Sequence, residues 1–307
     1  MLAAEAAPLV KVGGLGDVVG ALPVALRKLG MDVRVMLPDI GLRLPAVYKV
    51  RRLASGVLAW DGRAERVTVR CLTVNGGLQY LVGGRPIPLD GKVYGASMGR
   101  DLRKFVFFAL AALRVAESVG FHPDVLHVHD AHPGAALHFL GTAGRVPGFW
   151  KFTAGVLTIH NLAYQFNDAA DALQAGGLAQ CVDARIPVHA RAGLLALGIA
   201  AADLVNTVSH HFRRYTAPEL RSKIENAGLR VDKLTYANTF LMPVVWAGRL
   251  VHKLRGPSSA PGMTENSMHP DWSNGLLQSI FTAERPLLRF MNLPFGVSLL
   301  TLATKPR

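Results

Sequence analysis

The sequence predicts an α/β fold, a parallel sheet covered by helices on both faces. Three observations carry that expectation. Short apolar runs alternate with segments whose apolar residues recur every three or four positions. Hydrophobic residues make up 50% of the chain and charged residues 18%, a balance suited to a buried sheet and unsuited to disorder. Polar or glycine-rich sequences follow three of the runs, and ligands collect beyond the carboxyl ends of parallel strands.

Residues 32–37, 67–74, 78–82, 125–128 and 156–159 read as strands, and residues 203–208 as a further short strand ending at Ser209. Residues 18–29 and 102–119 have helical spacing, and residues 190–202 are rich in Ala and Leu. Pro23 lies inside the first helix and should kink it, because it gives no amide hydrogen to the ladder. Beyond about residue 215 the alternation fades. Residues 256–262 are rich in breakers, residues 268–274 look irregular, and residues 240–246 and 297–302 could be strands or short helices. No internal repeat occurs.

A chain of 307 residues can bury a substantial core. Its net charge of +13 raises the question of an anionic partner. Residues 1–209 hold 21 Lys/Arg against 15 Asp/Glu, and residues 210–307 hold 13 against 6, so the tail is disproportionately basic. No dense basic run interleaved with aromatics appears, which argues against specific nucleic-acid binding. Cys71 and Cys181 are far apart and lack metal-ligand spacing, consistent with a reducing cytoplasm. No signal-peptide pattern opens the chain and no run of about twenty apolar residues occurs, so a soluble, non-membrane protein is expected.

Lys11-Val12-Gly13-Gly14-Leu15-Gly16-Asp17-Val18 is a glycine-rich loop running into a helix. Glycines allow close backbone approach and helix-start amides can bind phosphate or sugar oxygens, though a plain tight turn has the same composition. The pattern is neither GxxxxGK[ST] nor GxGxxG. His127-Val128-His129-Asp130-Ala131-His132 follows a strand. Three histidines around an aspartate suggest a metal, but side chains alternate between strand faces and cannot all reach one ion, so hydrogen-bonded histidines are the simpler reading. Thr158-Ile159-His160-Asn161-Leu162-Ala163-Tyr164-Gln165 ends another strand, where a histidine and an amide can donate to sugar hydroxyls or serve the core.

The segment from Glu5 to Pro23 closely resembles the opening signature of ADP-glucose-dependent glycogen and starch synthases, retaining glycosyltransferases whose GT-B architecture sets two Rossmann-like domains across a cleft. Residues 127–132 resemble the family's His-x-His-Asp-Trp-His segment, residues 158–165 match a second diagnostic stretch, and residues 201–209 also resemble the family. The resemblance implies that Lys11, Gly13 and Gly14 contact the donor's diphosphate and sugar, with Asp17 beside them. It implies that Asp130 lies in the donor–acceptor cleft and that His160 contacts the transferring glucose, with Asn161 adjacent. Asp130 and His160 are the expected catalytic residues, and no cofactor or metal is implied. The partners implied are ADP-glucose, or another nucleotide-glucose, and an α-1,4-glucan extended at its non-reducing end.

Departures accompany the match. Ala131 stands for the usual tryptophan and Phe166 for a common glycine, and the loop after Phe166 looks shortened. Only residues 1–4 remain to supply the family's first strand. The resemblance divides the chain into a catalytic N-terminal half-enzyme over 1–215 and an unassigned basic tail over 216–307. The Arg/Lys pair, the Glu-x7-Glu motif and the Lys-Thr-Gly-Gly-like loop of the family's second domain are not found, Glu219 and Glu225 being too close together. A truncated, divergent or frameshifted end and an impaired enzyme are therefore expected. The alternatives are a non-catalytic glucan-binding or regulatory remnant and, on charge alone, a nucleic-acid binder.

Overall fold

The computed structural model describes residues 1–53, 56–144, 148–178, 188–208, 216–226, 229–240, 242–243, 283–284, 286–296 and 298–304. Ser209, Cys181, residues 256–262 and 268–274 and most of 240–246 lie outside the described residues.

Residues 1–4 reach the centre of the sheet. Leu2 bridges in parallel to Met36 on one side and to Val128 on the other. The Leu2 amide donates to the His127 carbonyl at 2.8 Å, and its carbonyl accepts from His129 N at 3.0 Å. On the Met36 side runs β1 (Val35–Pro38), then β6 (Gly77–Gly83), β5 (Thr68–Val74) and β2 (Arg51–Leu53). On the Val128 side run β7 (Val125–His129), β8 (Ala154–Ile159), β9 (Leu204–Val208), β11 (Ser298–Thr304) and β10 (Arg230–Ala237).

The inner strands are parallel, as expected, and both flanks are antiparallel. The expected strands over 67–74 and 78–82 cannot be parallel, because only Asn75 and Gly76 join β5 to β6. Both have positive φ, 49° and 77°, the geometry of a two-residue hairpin turn. Asp61 and Gly62 repeat that turn between β3 (Val57–Trp60) and β4 (Arg63–Arg66).

Strand side chains alternate between two cores. Leu2, Ala4 and Met36 join one with Val82, Val128 and α2 (Met98–Ser118), whereas Ala3, Val35 and Leu37 join the other with Leu15 and Val19 of α1 (Gly14–Arg27). Helices therefore cover both faces. The first helix begins four residues earlier than its spacing suggests and continues through the buried Pro23. The middle of α2, from Phe105 to Leu113, is buried, with Phe107 edge-on to Trp60 at 5.2 Å. α3 (Gly134–Phe139) and α5 (Leu194–Ala201) pack on each other, with α4 (Ala170–Ala175) against α2. The Ala/Leu-rich helix is thus shorter than residues 190–202, its N-cap being Gly193, where a Cβ would stand 2.7 Å from Asn167 Oδ1.

The segment left unassigned by its sequence supplies α6 (Ala217–Asn226) and the two outer strands β10 and β11. β11 lies between β9 and β10 and buries Leu299, Thr301 and Ala303 at alternate positions. The apolar run at 297–302 is thus strand rather than helix from Ser298 onward. Thr301 stands opposite Thr207, and both hydroxyls are buried without a hydrogen-bond partner. Thr301→Val keeps the β-branched shape and removes an unsatisfied polar atom, so a stability gain of about 1 kcal/mol is expected in urea unfolding. A loss of stability would mean that the hydroxyl is satisfied by water.

Candidate active site

The polar strand ends meet at one edge of the sheet. Asp130 follows β7 directly, at φ 60°, a left-handed conformation that Asp tolerates better than most residues. Its amide donates to the Thr158 carbonyl at 2.8 Å. Its Oδ1 accepts from His160 N at 2.6 Å and Asn161 N at 3.0 Å, stapling the end of β7 to the end of β8. Burial pushes the Asp130 carboxyl up to about 6, against the two backbone hydrogen bonds that lower it, and the Glu5 charge adds to the rise. Asn161 Oδ1 accepts from Ala163 N at 3.0 Å and so turns the chain away from the strand.

Glu5 organises the other half of the site. It follows the central segment and is 2% exposed. Its Oε2 accepts from the amides of Val12 and, at 3.0 Å, Gly13, which folds the glycine-rich loop over the carboxylate. A Cβ at Gly16 would lie 3.1 Å from Glu5 Oε2, so a larger residue there would have to push the carboxylate aside by a few tenths of an ångström. Gly14 opens α1 and is exposed. Lys11 Nζ and Asp17 Oδ1 pair at 2.8 Å above the loop, both largely in solvent.

Tyr94 links the halves. Its hydroxyl donates to Glu5 Oε1 at 3.5 Å, and burial, then the charges of Glu5 and Asp130, push the phenol well up, so it stays neutral. Its ring lies 5.3 Å from that of His132, which also meets Phe105 at 4.7 Å and Phe166 at 4.8 Å. Burial, then the neighbouring Lys104, hold His132 down at about 3. Lys104 is itself buried, bonded to Asp101 Oδ1 and the Val93 carbonyl, each at 2.6 Å.

The structure therefore brings Asp130, His160 and Asn161 into direct contact, and sets Lys11 and Gly13 of the loop beside Gly14 and Asp17 of the first turn of α1, with Glu5 and Tyr94 between the groups. The three strand-end histidines are not all kept apart by strand alternation. His127 and His129, two apart, share a strand face and stack at 4.1 Å, so alternation separates them from Val128 rather than from each other. Among the described residues, no group of three His, Cys, Asp or Glu is arranged to hold a metal ion, and no helix is long and apolar enough to cross a membrane.

Glu5, Tyr94 and Lys104 carry the site without having been singled out as site residues. A lone acid among Ala3, Ala4, Ala6 and Ala7 was a usable signal, as was Asp101 three residues before Lys104 on an apolar helix; Tyr94 lies in a loop with no pattern. Phe166 has φ 52°, which explains why a glycine suits that position. The left-handed backbone costs roughly 1–2 kcal/mol, offset here by burying the ring against Phe105 and His132.

A row of amides, carboxylates, imidazole and ammonium on one sheet edge suits a polyhydroxylated, partly anionic ligand. A family model described as the starch synthase catalytic domain matches residues 1–227. Glycogen synthase 2 of Geobacter sulfurreducens is 32% identical over 235 residues, covering 75% of this chain and 48% of that protein. Glycogen synthase 2 of Geobacter metallireducens is 36% identical over 219 residues, covering 69% and 45%. The catalytic domain of starch synthase IV from Arabidopsis thaliana, solved bound to ADP and acarbose, superposes with a TM-score of 0.60 at 27% identity, covering 66% of this chain and 43% of that one. The chain spans about half the length of the curated relatives it matches. With a family model matching residues 1–227 and the fold on the same pattern, the chain belongs to the starch synthase catalytic domain family, a family of glycosyltransferases.

Proposed function

We propose that this chain forms the acceptor-side wall of a glycogen/starch synthase, acting in the cytoplasm to move glucose from ADP-glucose to the non-reducing end of an α-1,4-glucan with retention. The unit that carries the wall is residues 1–215. The observation that supports this reading most is Asp130, an ionisable carboxyl held in a buried, strained position by the backbone of His160 and Asn161. Burying a carboxylate beside a second one costs stability, and such groups are kept where chemistry uses them. In this reading Asp130 and His160 border the transferring glucose, the Asn161 amide meets a sugar hydroxyl, and Lys11 with Gly13 and Gly14 faces the diphosphate. Asp17 holds Lys11 in place.

Breaking the bond to the diphosphate concentrates negative charge on the leaving group, and each preorganised donor aimed at it is worth roughly 3–4 kcal/mol, a few hundredfold in rate. Lys11 is already paired with Asp17 at 2.8 Å. This favours a second reading for the 307-residue polypeptide alone, a glucan binder with little turnover. Purified protein should be retained on glycogen while incorporating almost no glucose from ADP-glucose. Robust turnover would show that the chain needs no further cations. Neither retention nor turnover would remove both readings.

Asp130 also makes a prediction about stability. Its carboxyl titrates near 6 in the fold against 3.8 ordinarily. Between those values the folded chain holds a proton that the unfolded chain has released, so stability falls as pH rises through the window, by about 3 kcal/mol in all. Asp130→Asn keeps an Oδ1 for both amides and has no charge to desolvate. The variant is expected to be about 1–3 kcal/mol more stable than the parent at pH 7, and the difference should vanish near pH 4, read from urea unfolding at both. A variant less stable at pH 7 would show that the anion stabilises the fold.

A further inference from the structure

Behind the site stand three imidazoles. The rings of His127 and His129 stack at 4.1 Å and 29°, and those of His129 and His160 at 5.4 Å and 26°. His127 Nε2 lies 2.7 Å from Thr158 Oγ1, and His129 Nδ1 lies 3.1 Å from His160 Nε2. His129 has no exposed surface, and its Nε2 is buried without a hydrogen-bond partner. Burial, then the neighbouring imidazoles and the chain's amino group, hold His129 well below the ordinary histidine range, so it is neutral at neutral pH.

A neutral imidazole carries one N–H and one lone pair. The proton shared by His129 and His160 sits on one of two nitrogens. Were it on His160 Nε2, the proton of His129 would have to sit on its Nε2, a buried donor with no acceptor. Orphaned buried N–H groups are rare in folded proteins because the lost hydration is not recovered. With the proton on His129 Nδ1, the N–H finds an acceptor and only a lone pair is left unmet. Stacking on both neighbours fixes the ring plane, so the donor stays aimed.

We propose that His129 is a positioning residue: it donates Nδ1–H to His160 Nε2 and thereby fixes His160 as the Nδ1–H tautomer at the end of β8. The tautomer does not depend on the function proposed above. A histidine side chain in water prefers the other tautomer, with the proton on Nε2, so the assignment is a departure that can be measured.

Long-range 1H–15N correlation spectra of the histidine rings in the ligand-free chain decide it, because protonated and bare ring nitrogens resonate far apart. His160 is expected to show a bare Nε2 and a protonated Nδ1, whether or not the protein binds glucan. The reverse pattern overturns the proposal, whatever the protein binds. In His129→Asn the side-chain amide N–H falls near the position of Nδ1 and should preserve the wild-type signature. His129→Phe keeps a ring in the stack, removes the donor and should release His160 to the Nε2–H form. A His160 signature unchanged in folded His129→Phe would equally overturn it, and if that variant does not fold the wild-type spectrum settles the assignment.

Discussion

Leu2 is paired on both sides at once, with Met36 of β1 and with Val128 of β7, and the relative placement of the two halves of the site follows from that pairing. The glycine-rich loop emerges from the Leu2 segment, whereas Asp130 and His160 end the strands on its Val128 side. Because neighbouring strands lie only about 5 Å apart, fixing the Leu2 register fixes how far the loop stands from the carboxylate. Residues 2–4 also alternate between the two cores, Leu2 and Ala4 in one and Ala3 in the other. A shift of one residue would exchange those faces and move Glu5 out from under the loop.

Electrostatics then explain the order of the site. Two buried carboxylates, Glu5 and Asp130, are tolerated because each accepts two backbone amides, Val12 and Gly13 for one and His160 and Asn161 for the other. Amide donors offset part of the cost of removing an anion from water. They also convert each carboxylate into a clamp on a loop that must hold its shape. Tyr94, kept neutral by burial and then by the same two charges, bridges the clamps and closes an aromatic wall with Phe105, His132 and Phe166. The site is preorganised by backbone contacts more than by side-chain pairs, in keeping with the exposed and weakly held Lys11–Asp17 pair.

Much of this was legible in the sequence because it is local. Short apolar runs marked β1, β5, β6, β7, β8 and β9, and the residues at three strand ends were visible as polar interruptions. Partnerships at a distance were not visible. Nothing in the composition of residues 298–304 says that they insert between β9 and β10, since antiparallel pairing depends on register with a partner that lies about seventy residues away in sequence. Glu5 was visible as a lone acid, but its task depends on Val12 and Gly13 folding back seven and eight residues later. His129 was read as one of three strand-end histidines, and only the stack on His127 and the contact with His160 separate its role from theirs.

The central claim is that the three strand ends act as one wall. Titrating a maltooligosaccharide into 15N-labelled protein and following backbone amide shifts tests it directly. The account predicts that His160 and Asn161, after β8, shift together with Gly13 and Gly14 of the loop at a common saturation midpoint. Shifts confined to one of the two groups, or to residues away from this sheet edge, would contradict it.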